Sequence, residues 1–169
     1  TLVKIVSGMF ERDGGSMRWQ GREVNFHRPA DAHTIGISMV HQESLLAPHL
    51  TVAENIFLGR ESTNGPLVDQ RQMDREAALL IEEHRFPLDA RSRVGDLSPA
   101  QKQLIEICRA LNATSRLLIF DEPTSSLSET EANEVFGIVK SLRARGIGII
   151  YITHRLDELR ELADRITIL

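Results

Sequence analysis

The sequence predicts an α/β protein with a parallel sheet that helices cover on both faces. Two observations favour this class. Four short segments are wholly or mainly apolar, and amphipathic stretches with helical spacing separate them along the chain. A strand that is apolar on both sides needs cover on both sides, and helices usually connect parallel neighbours. The four predicted strands are 36–40, 117–120, 147–152 and 166–169.

Length and composition indicate one globular unit. The chain has 169 residues, with 24 acidic against 20 basic side chains and a net charge of −4. This size fits a single domain with a small inserted subdomain. The acidic balance argues against a protein whose main affinity is for the nucleic-acid backbone. No apolar run approaches the roughly 20 residues of a membrane span, and no segment is typical of a signal peptide.

The first 40 residues predict small elements around the sheet. A helix over 2–6 ends at Ser7-Gly8, because glycine commonly follows the last helical turn. Segments 16–19 and 23–26 flank Gln20-Gly21-Arg22 and predict a short β-hairpin. A brief helix is expected after Pro29.

The stretch from Thr51 to Arg93 is charged and helical in pattern. Two helices are predicted in it, over 52–58 and 69–85, with a loop at Asn64-Gly65-Pro66. We interpret this stretch as an inserted helical subdomain.

Capping signals mark the helices of the second half. Ser98 is a good N-cap, Pro99 suits the first helical position, and Gln101 can complete a capping box. Ser128 and Glu131 predict a second box before a helix that runs to about residue 145. A last helix is expected over 156–163. The lone cysteine, Cys108, lies on the apolar face of the first of these helices and predicts a small buried hydrophobe in a reducing compartment.

Polar side chains follow three of the predicted strands. Gln42 comes after the first, Asp121 and Glu122 after the second, and His154 after the third. In open parallel sheets, ligands bind at the carboxyl ends of the strands. We therefore expect these side chains to converge on one edge of the sheet.

The strongest local signal is the apolar run 117–120 followed by Asp121 and Glu122. A nucleotide-hydrolysing site needs one carboxylate to orient Mg²⁺ through its water shell and another to polarise the attacking water. A buried strand that merely ends in an acidic turn before Pro123 explains the same residues equally well. His154 alone is more often a surface or capping histidine, so the argument depends on the shared position at strand ends.

Four segments resemble motifs of the ABC-type ATPases, in that family's order and over essentially the whole chain. They resemble the Q-loop, the signature, Walker B with the D-loop, and the H-loop. The segments are VHQ at 40–42, LSPAQKQ at 97–103, LIFDEPTS at 118–125 and YITHR at 151–155. The resemblance implies a P-loop NTPase-like sheet with a small antiparallel β segment and an inserted helical subdomain. It divides the chain into a partial ATPase core at 1–50, a helical subdomain at 51–95, and a core with signature, Walker B, D-loop and H-loop at 96–169.

The resemblance implies a role for each strand-end residue, with ATP as substrate and Mg²⁺ as cofactor. Glu122 is expected to be the general base or water-polarising carboxylate. Asp121 is expected to hold Mg²⁺ through water, and Gln42 to approach the metal and the lytic water. His154 is expected to contact the γ-phosphate as a switch.

A second group of residues is implied to bind the nucleotide of a facing domain. It comprises Ser98, Ala100 and Gln101 of the signature and Ser126 of the D-loop. A helix N-terminus with free amides attracts phosphate, so two domains are expected to share each ATP.

Three departures from the family pattern stand out. Pro99 and Ala100 replace the two glycines that usually follow the signature serine, and proline has no N–H to offer a phosphate. The D-loop ends in Ser128 where an aspartate is common, and a capping role for Ser128 is the favoured interpretation. No Gly-x-x-x-x-Gly-Lys-[Ser/Thr] loop occurs anywhere. We therefore expect a fragment that begins just after that loop, ends early, and is inactive alone.

A narrower resemblance concerns the kind of transporter. HQESL at 41–45, AENIFLG at 53–59 and the Ser-x-Ala-Gln signature are similar to the first nucleotide-binding half of the tandem ATPases that energise bacterial ribose, galactose and xylose importers. This implies an ATPase at the cytoplasmic face of the bacterial inner membrane. The implied partners are membrane permease subunits, a second nucleotide-binding domain and, indirectly, a periplasmic sugar-binding protein, with no nucleic acid.

Two other functions are weighed against sugar import. A soluble ABC-type ATPase acting on ribosomes or DNA should carry a basic arm or a coiled-coil insertion, and neither is evident. A non-catalytic regulatory module with this fold does not need Asp121, Glu122 and His154. Within the transport hypothesis, segment 51–93 either contacts the permease or simply covers the sheet edge, and the sequence does not favour one over the other.

Overall fold

The computed structural model describes residues 1–40, 46–112 and 115–168. Within these ranges the main sheet has three parallel strands, in the order β3, β6, β7. The elements are α1 (Leu2–Val6), β1 (Met17–Trp19), β2 (Arg22–Val24), α2 (Pro29–Thr34), β3 (Ile37–Val40), α3 (Val52–Phe57), β4 (Thr63–Asn64), β5 (Leu67–Val68), α4 (Gln70–His84), a 3₁₀ turn (Val94–Asp96), α5 (Pro99–Leu111), β6 (Leu117–Asp121), α6 (Glu129–Ala144), β7 (Gly148–Ile152) and α7 (Leu156–Leu162).

The central strand β6 supplies side chains to two separate cores. Leu118 and Phe120 are buried in the larger core, which helices α3 to α6 complete. Ile119 points the other way and packs with Phe26 and Ala32, beside the hairpin and the short helices. Because successive side chains of a strand alternate between faces, an all-apolar strand requires both covers. The predicted α/β class with a doubly covered parallel sheet is confirmed.

The capping boxes fix the starts of the helices as predicted. The Ser98 hydroxyl accepts from the N–H of Gln101, and Ser128 accepts from that of Glu131. A third box joins Thr51 and Glu54 at the start of α3. That box follows the same Ser/Thr-x-x-Glu spacing, which is present in the sequence but was not among the predicted boxes.

Helix α3 is connected to the residues before it by hydrogen bonds of one buried side-chain amide, that of Asn55. Asn55 is fully buried; its Oδ1 accepts from the N–H of Ala47 at 2.8 Å, and its Nδ2 donates to the carbonyls of Ala47 and Thr51. The predicted loop at 64–66 is in fact the turn of a small hairpin, β4–β5. The three-part division of the chain stays a prediction.

Two sequence expectations need correction. The first hairpin has a two-residue turn, since Gln20 and Gly21 both have positive φ and β2 already begins at Arg22. This backbone matches the twist of a hairpin. Residues 166–168 are not a strand; Ile168 is 93% exposed, and no described strand pairs with this run. An apolar run needs a neighbour to form a ladder, and Leu169 lies outside the described residues.

Cys108 is buried, as the sequence predicts. The Cys108 side chain is fully buried on α5, and burial raises the pKa of its thiol to about 12. It therefore stays protonated near neutral pH and packs as a small apolar group. In the ranges that the structure describes, no helix is both long enough and apolar enough to span a bilayer.

Candidate functional site at the ends of the central strands

The ends of β6 and β7 bring two of the predicted residues into contact. Asp121 pairs with Ile152 in the parallel register, and the N–H of Glu122 donates to the carbonyl of Ile152 at 3.0 Å. Glu122 and His154 therefore leave the sheet side by side. Oε1 of Glu122 lies 3.2 Å from Nδ1 of His154.

The backbone at Glu122 is in a conformation that L-residues rarely adopt. Its φ is +47°, in the left-handed region. For a residue other than glycine such a conformation costs about 1–3 kcal/mol and persists only where the surroundings enforce it. The hydrogen bond to Ile152 enforces it on one side, and the Glu122 carbonyl accepts from the N–H of Ser125 at 3.3 Å on the other. Nothing in the local sequence indicated this conformation.

The pair is open to a ligand from solvent. The side chain of His154 is 69% exposed and that of Glu122 is 29% exposed. Asp121, the last residue of β6, is half-buried beside them in sequence. Gln42, the other predicted strand-end residue, lies outside the described residues.

The predicted signature residues lie at the start of α5, and their polar groups are engaged locally. Oε1 of Gln101 accepts from the N–H of Ser98 at 3.1 Å, and Nε2 of Gln101 donates to the carbonyl of Pro87 at 3.3 Å. The Ala100 side chain is only 2% exposed, so its methyl group cannot reach a ligand. Any contact from Ala100 would use its backbone N–H.

A carboxylate from α6 lies near the same helix start. The pKa of Glu131 is lowered chiefly by the N–H of Ser128, then by the Ser128 hydroxyl, with a smaller contribution from the N–H of Ala100. The Glu131 carboxylate therefore places negative charge near the start of α5. Ser126 lies exposed in the turn that precedes α6.

The donor set at the strand ends suits Mg²⁺ only in part. Carboxylate oxygens such as those of Asp121 and Glu122 are the ligands that Mg²⁺ prefers. Among the described residues, no three His, Cys, Asp or Glu side chains gather as a metal cage. Mg²⁺ is commonly held by one or two carboxylates together with the phosphates of the substrate, and this site fits that pattern.

Comparison with known proteins identifies the family. The family model described as ABC transporter matches residues 1–125. The chain belongs to the ABC transporter family. Two relatives of this family member are a putative ribose/galactose/methyl galactoside import ATP-binding protein 2 of Burkholderia cenocepacia, 47% identical, and a similarly named protein of Pseudomonas syringae pv. syringae, 46% identical. The matches cover 100% and 99% of this chain but 33% and 32% of the relatives.

Solved structures place this ABC family member among ATP-binding cassettes. A nucleotide-free cassette from an ABC transporter superposes with a TM-score of 0.82 at 25% identity, covering 96% of this chain and 68% of that one. A cassette in its ADP conformation gives a TM-score of 0.80 at 25% identity, covering 95% and 68%. The predicted family and fold are thereby confirmed. The chain spans about a third of the length of the curated relatives it matches.

Sequence reasoning missed one buried side chain beside the site. Glu158 of α7 is fully buried and contacts Thr124, Tyr151 and Arg155. All three neighbours lie within three positions of Glu122 or His154 along the chain. A short helix such as α7 gives too little periodicity for the sequence to show which face is buried.

Proposed function

We propose that residues 1–169 are part of the ATP-hydrolysing subunit that powers sugar import by a bacterial ABC transporter. The observation that carries the proposal is the 3.2 Å contact between Glu122 and His154 at the rim of the parallel sheet. The named function of the 47% identical relative supports sugar as the cargo.

Glu122 would act as the base in this hydrolysis. Its carboxylate would accept a proton from the attacking water as the water oxygen bonds to the γ-phosphorus. The bond from that phosphorus to the bridging oxygen of ADP breaks, and ADP and phosphate leave. His154 would orient the Glu122 carboxylate through Nδ1 and leave Nε2 for the γ-phosphate. Asp121 and Gln42 would hold Mg²⁺, which offsets negative charge on the phosphates.

The chain itself lacks the groups that cradle the phosphates. The Gly-x-x-x-x-Gly-Lys-[Ser/Thr] loop supplies backbone amides and a lysine to the β- and γ-phosphates, and it does not occur in residues 1–169. Because positioning provides most of the catalysis in phosphoryl transfer, hydrolysis would need that loop. We call the full-length protein that contains residues 1–169 together with such a loop the complete cassette.

Two parts of the chain would contact the proposed partners. Ser98, Gln101 and Ser126 would face the nucleotide of a second cassette. The segment 51–93 would contact the permease at the cytoplasmic face of the inner membrane. Among the apolar side chains that this segment exposes are Leu67, Val68 and Leu79, which such a contact would bury.

The experiment is a substitution of Glu122 in the complete cassette. Glu122→Gln keeps the side-chain shape and removes the base, so ATP turnover should fall at least a hundredfold, within the range that general-base catalysis contributes. Glu134→Gln, the same chemical change at an exposed position of α6, is the matched control and should leave turnover unchanged. Unchanged turnover in Glu122→Gln would remove Glu122 from the role of base.

A further inference from the structure

Glu158 is a completely buried carboxylate with a full set of donors. It has 0% exposure on α7. Its Oε1 accepts from the Thr124 hydroxyl at 2.6 Å and lies 3.3 Å from Nε of Arg155, and its Oε2 accepts from the Tyr151 hydroxyl at 3.2 Å. A buried charge is tolerated only when it is paired and hydrogen-bonded, and these three contacts meet that need.

The donors belong to the two segments that carry the candidate catalytic pair. Thr124 follows Glu122 by two positions, Tyr151 precedes His154 by three, and Arg155 follows it directly. One carboxylate therefore connects the turn after β6 to both flanks of the His154 loop. The hydrogen bond from the N–H of Glu122 to the carbonyl of Ile152 connects the same two segments through the backbone.

Thr124 can fix the position of Glu122 because both residues lie in the same tight turn. It is 2% exposed, and its carbonyl accepts from the N–H of Leu127 at 3.1 Å. Both ends of the residue are thus fixed within one tight turn, which begins with the left-handed backbone of Glu122. A strained residue keeps its conformation only if its neighbours cannot relax, and Thr124 is the neighbour that Glu158 holds.

We propose that Glu158 is a positioning residue that sets the distance and direction between Glu122 and His154. Through Thr124 it fixes the turn that aims the Glu122 carboxylate, and through Tyr151 and Arg155 it fixes the loop that presents His154. This inference rests on the proposed hydrolytic function. It assigns Glu158 no contact with the nucleotide.

Substitutions of Glu158 and Thr124 can distinguish a role in positioning the catalytic pair from an effect on the stability of the protein alone. In the complete cassette, Glu158→Gln and Thr124→Val should lower kcat for ATP hydrolysis by about tenfold to a hundredfold, as a misplacement near 1 Å does. The KM for ATP should stay within about twofold, because the phosphate loop and not this cluster binds the substrate. Thr124→Ser restores the hydroxyl and should recover kcat.

A control variant tests whether the fall in kcat is specific to the buried carboxylate of α7. Glu161→Gln makes the same chemical change on the exposed face of α7, where Glu161 pairs with Lys140, and should leave kcat unchanged. If Glu158→Gln does not fold, the Thr124→Val and Thr124→Ser pair decides. Wild-type kcat in Thr124→Val overturns the inference, as does a fall in kcat that Thr124→Ser does not recover.

The two proposals fail in different ways. If Glu122→Gln abolishes turnover while Thr124→Val leaves kcat unchanged, only the positioning role of Glu158 is lost. If Glu122→Gln leaves turnover intact, the hydrolytic function of the site is lost first, whatever the Glu158 variants do.

Discussion

Glu122 and His154 meet because Asp121 and Ile152 are register partners on adjacent parallel strands. The register is set by apolar side chains, among them Phe120 and Tyr151, whose rings lie 6.0 Å apart just before the strands end. A shift of the register by one residue would turn every side chain of β7 to the opposite face. The contact of the pair is therefore a consequence of core packing two residues before Glu122 and three residues before His154.

Replacement of His154 tests its share in hydrolysis. In the complete cassette, His154→Ala should lower ATP turnover about a hundredfold or more, because Glu122 loses the group that orients its carboxylate and the γ-phosphate loses a donor. Steady-state phosphate release measures the effect. His49→Gln, at an exposed position, is the control and should behave as the wild type. A His154→Ala cassette with wild-type turnover would contradict the proposed role.

Residues 1–169 alone should bind MgATP poorly. The chain offers Asp121, Glu122 and His154 but no amide cradle and no phosphate-loop lysine, so the triphosphate has few donors. Isothermal titration calorimetry of the chain should show a dissociation constant above about 1 mM, which corresponds to roughly −4 kcal/mol. Micromolar affinity would show that other residues bind the phosphates.

Stability should fall as the pH drops below about 6.5 because of His84. Its pKa is lowered by burial and then by Arg145, whose guanidinium lies 3.0 Å from Nδ1. The folded chain therefore binds fewer protons than the unfolded chain in the window below 6.5, the ordinary value for histidine. The stabilisation is complete above that pH and is lost as the pH falls through the lowered pKa.

The measurement is chemical denaturation at pH 7.5 and pH 5.5. His84→Asn keeps an acceptor for Arg145 but does not titrate, so this variant should lose less stability between the two pH values than the wild type. His33, whose pKa is also lowered by burial and by Arg60, stays in both proteins and contributes equally. Identical losses in the two proteins would exclude His84 as a cause.

Removal of the Asn55 amide should destabilise the chain by about 3 kcal/mol, since each unpaired buried polar group costs roughly 1–3 kcal/mol. Asn55→Ala leaves the N–H and carbonyl of Ala47 without their partner. Urea denaturation measures the change. Asn64→Ala, in the exposed hairpin, should change the free energy of unfolding by less than about 0.5 kcal/mol. A similar loss in both variants would show that the buried hydrogen bonds are not the cause.

Local signals made most of the elements predictable. The capping boxes at Ser98 and Ser128 placed two helices within a residue of their observed starts, because cap chemistry is read from side chains a turn apart. The strand predicted over 117–120 was equally clear, since both of its faces are apolar, and the observed strand extends by one residue to Asp121. The run at 166–168 failed because an apolar composition does not state whether a neighbouring strand is present.

The contact between Glu122 and His154 could be predicted from the sequence, but the residues that hold this pair in place could not. The order of the strand ends was enough to suggest that Glu122 and His154 converge. The left-handed φ of Glu122 and the burial of Glu158 both depend on tertiary contacts between segments distant in the chain. No local pattern in the sequence carries that information.

The polar side chains at the start of α5 are hydrogen-bonded within this chain. Gln101 is hydrogen-bonded to the N–H of Ser98 and to the carbonyl of Pro87. In the proposed pair of cassettes, the nucleotide of the second cassette would have to displace these hydrogen bonds to contact Ser98 and Gln101. In the proposed function, breaking these hydrogen bonds would oppose closure of two cassettes, and ATP hydrolysis would be slow in the absence of a transported sugar.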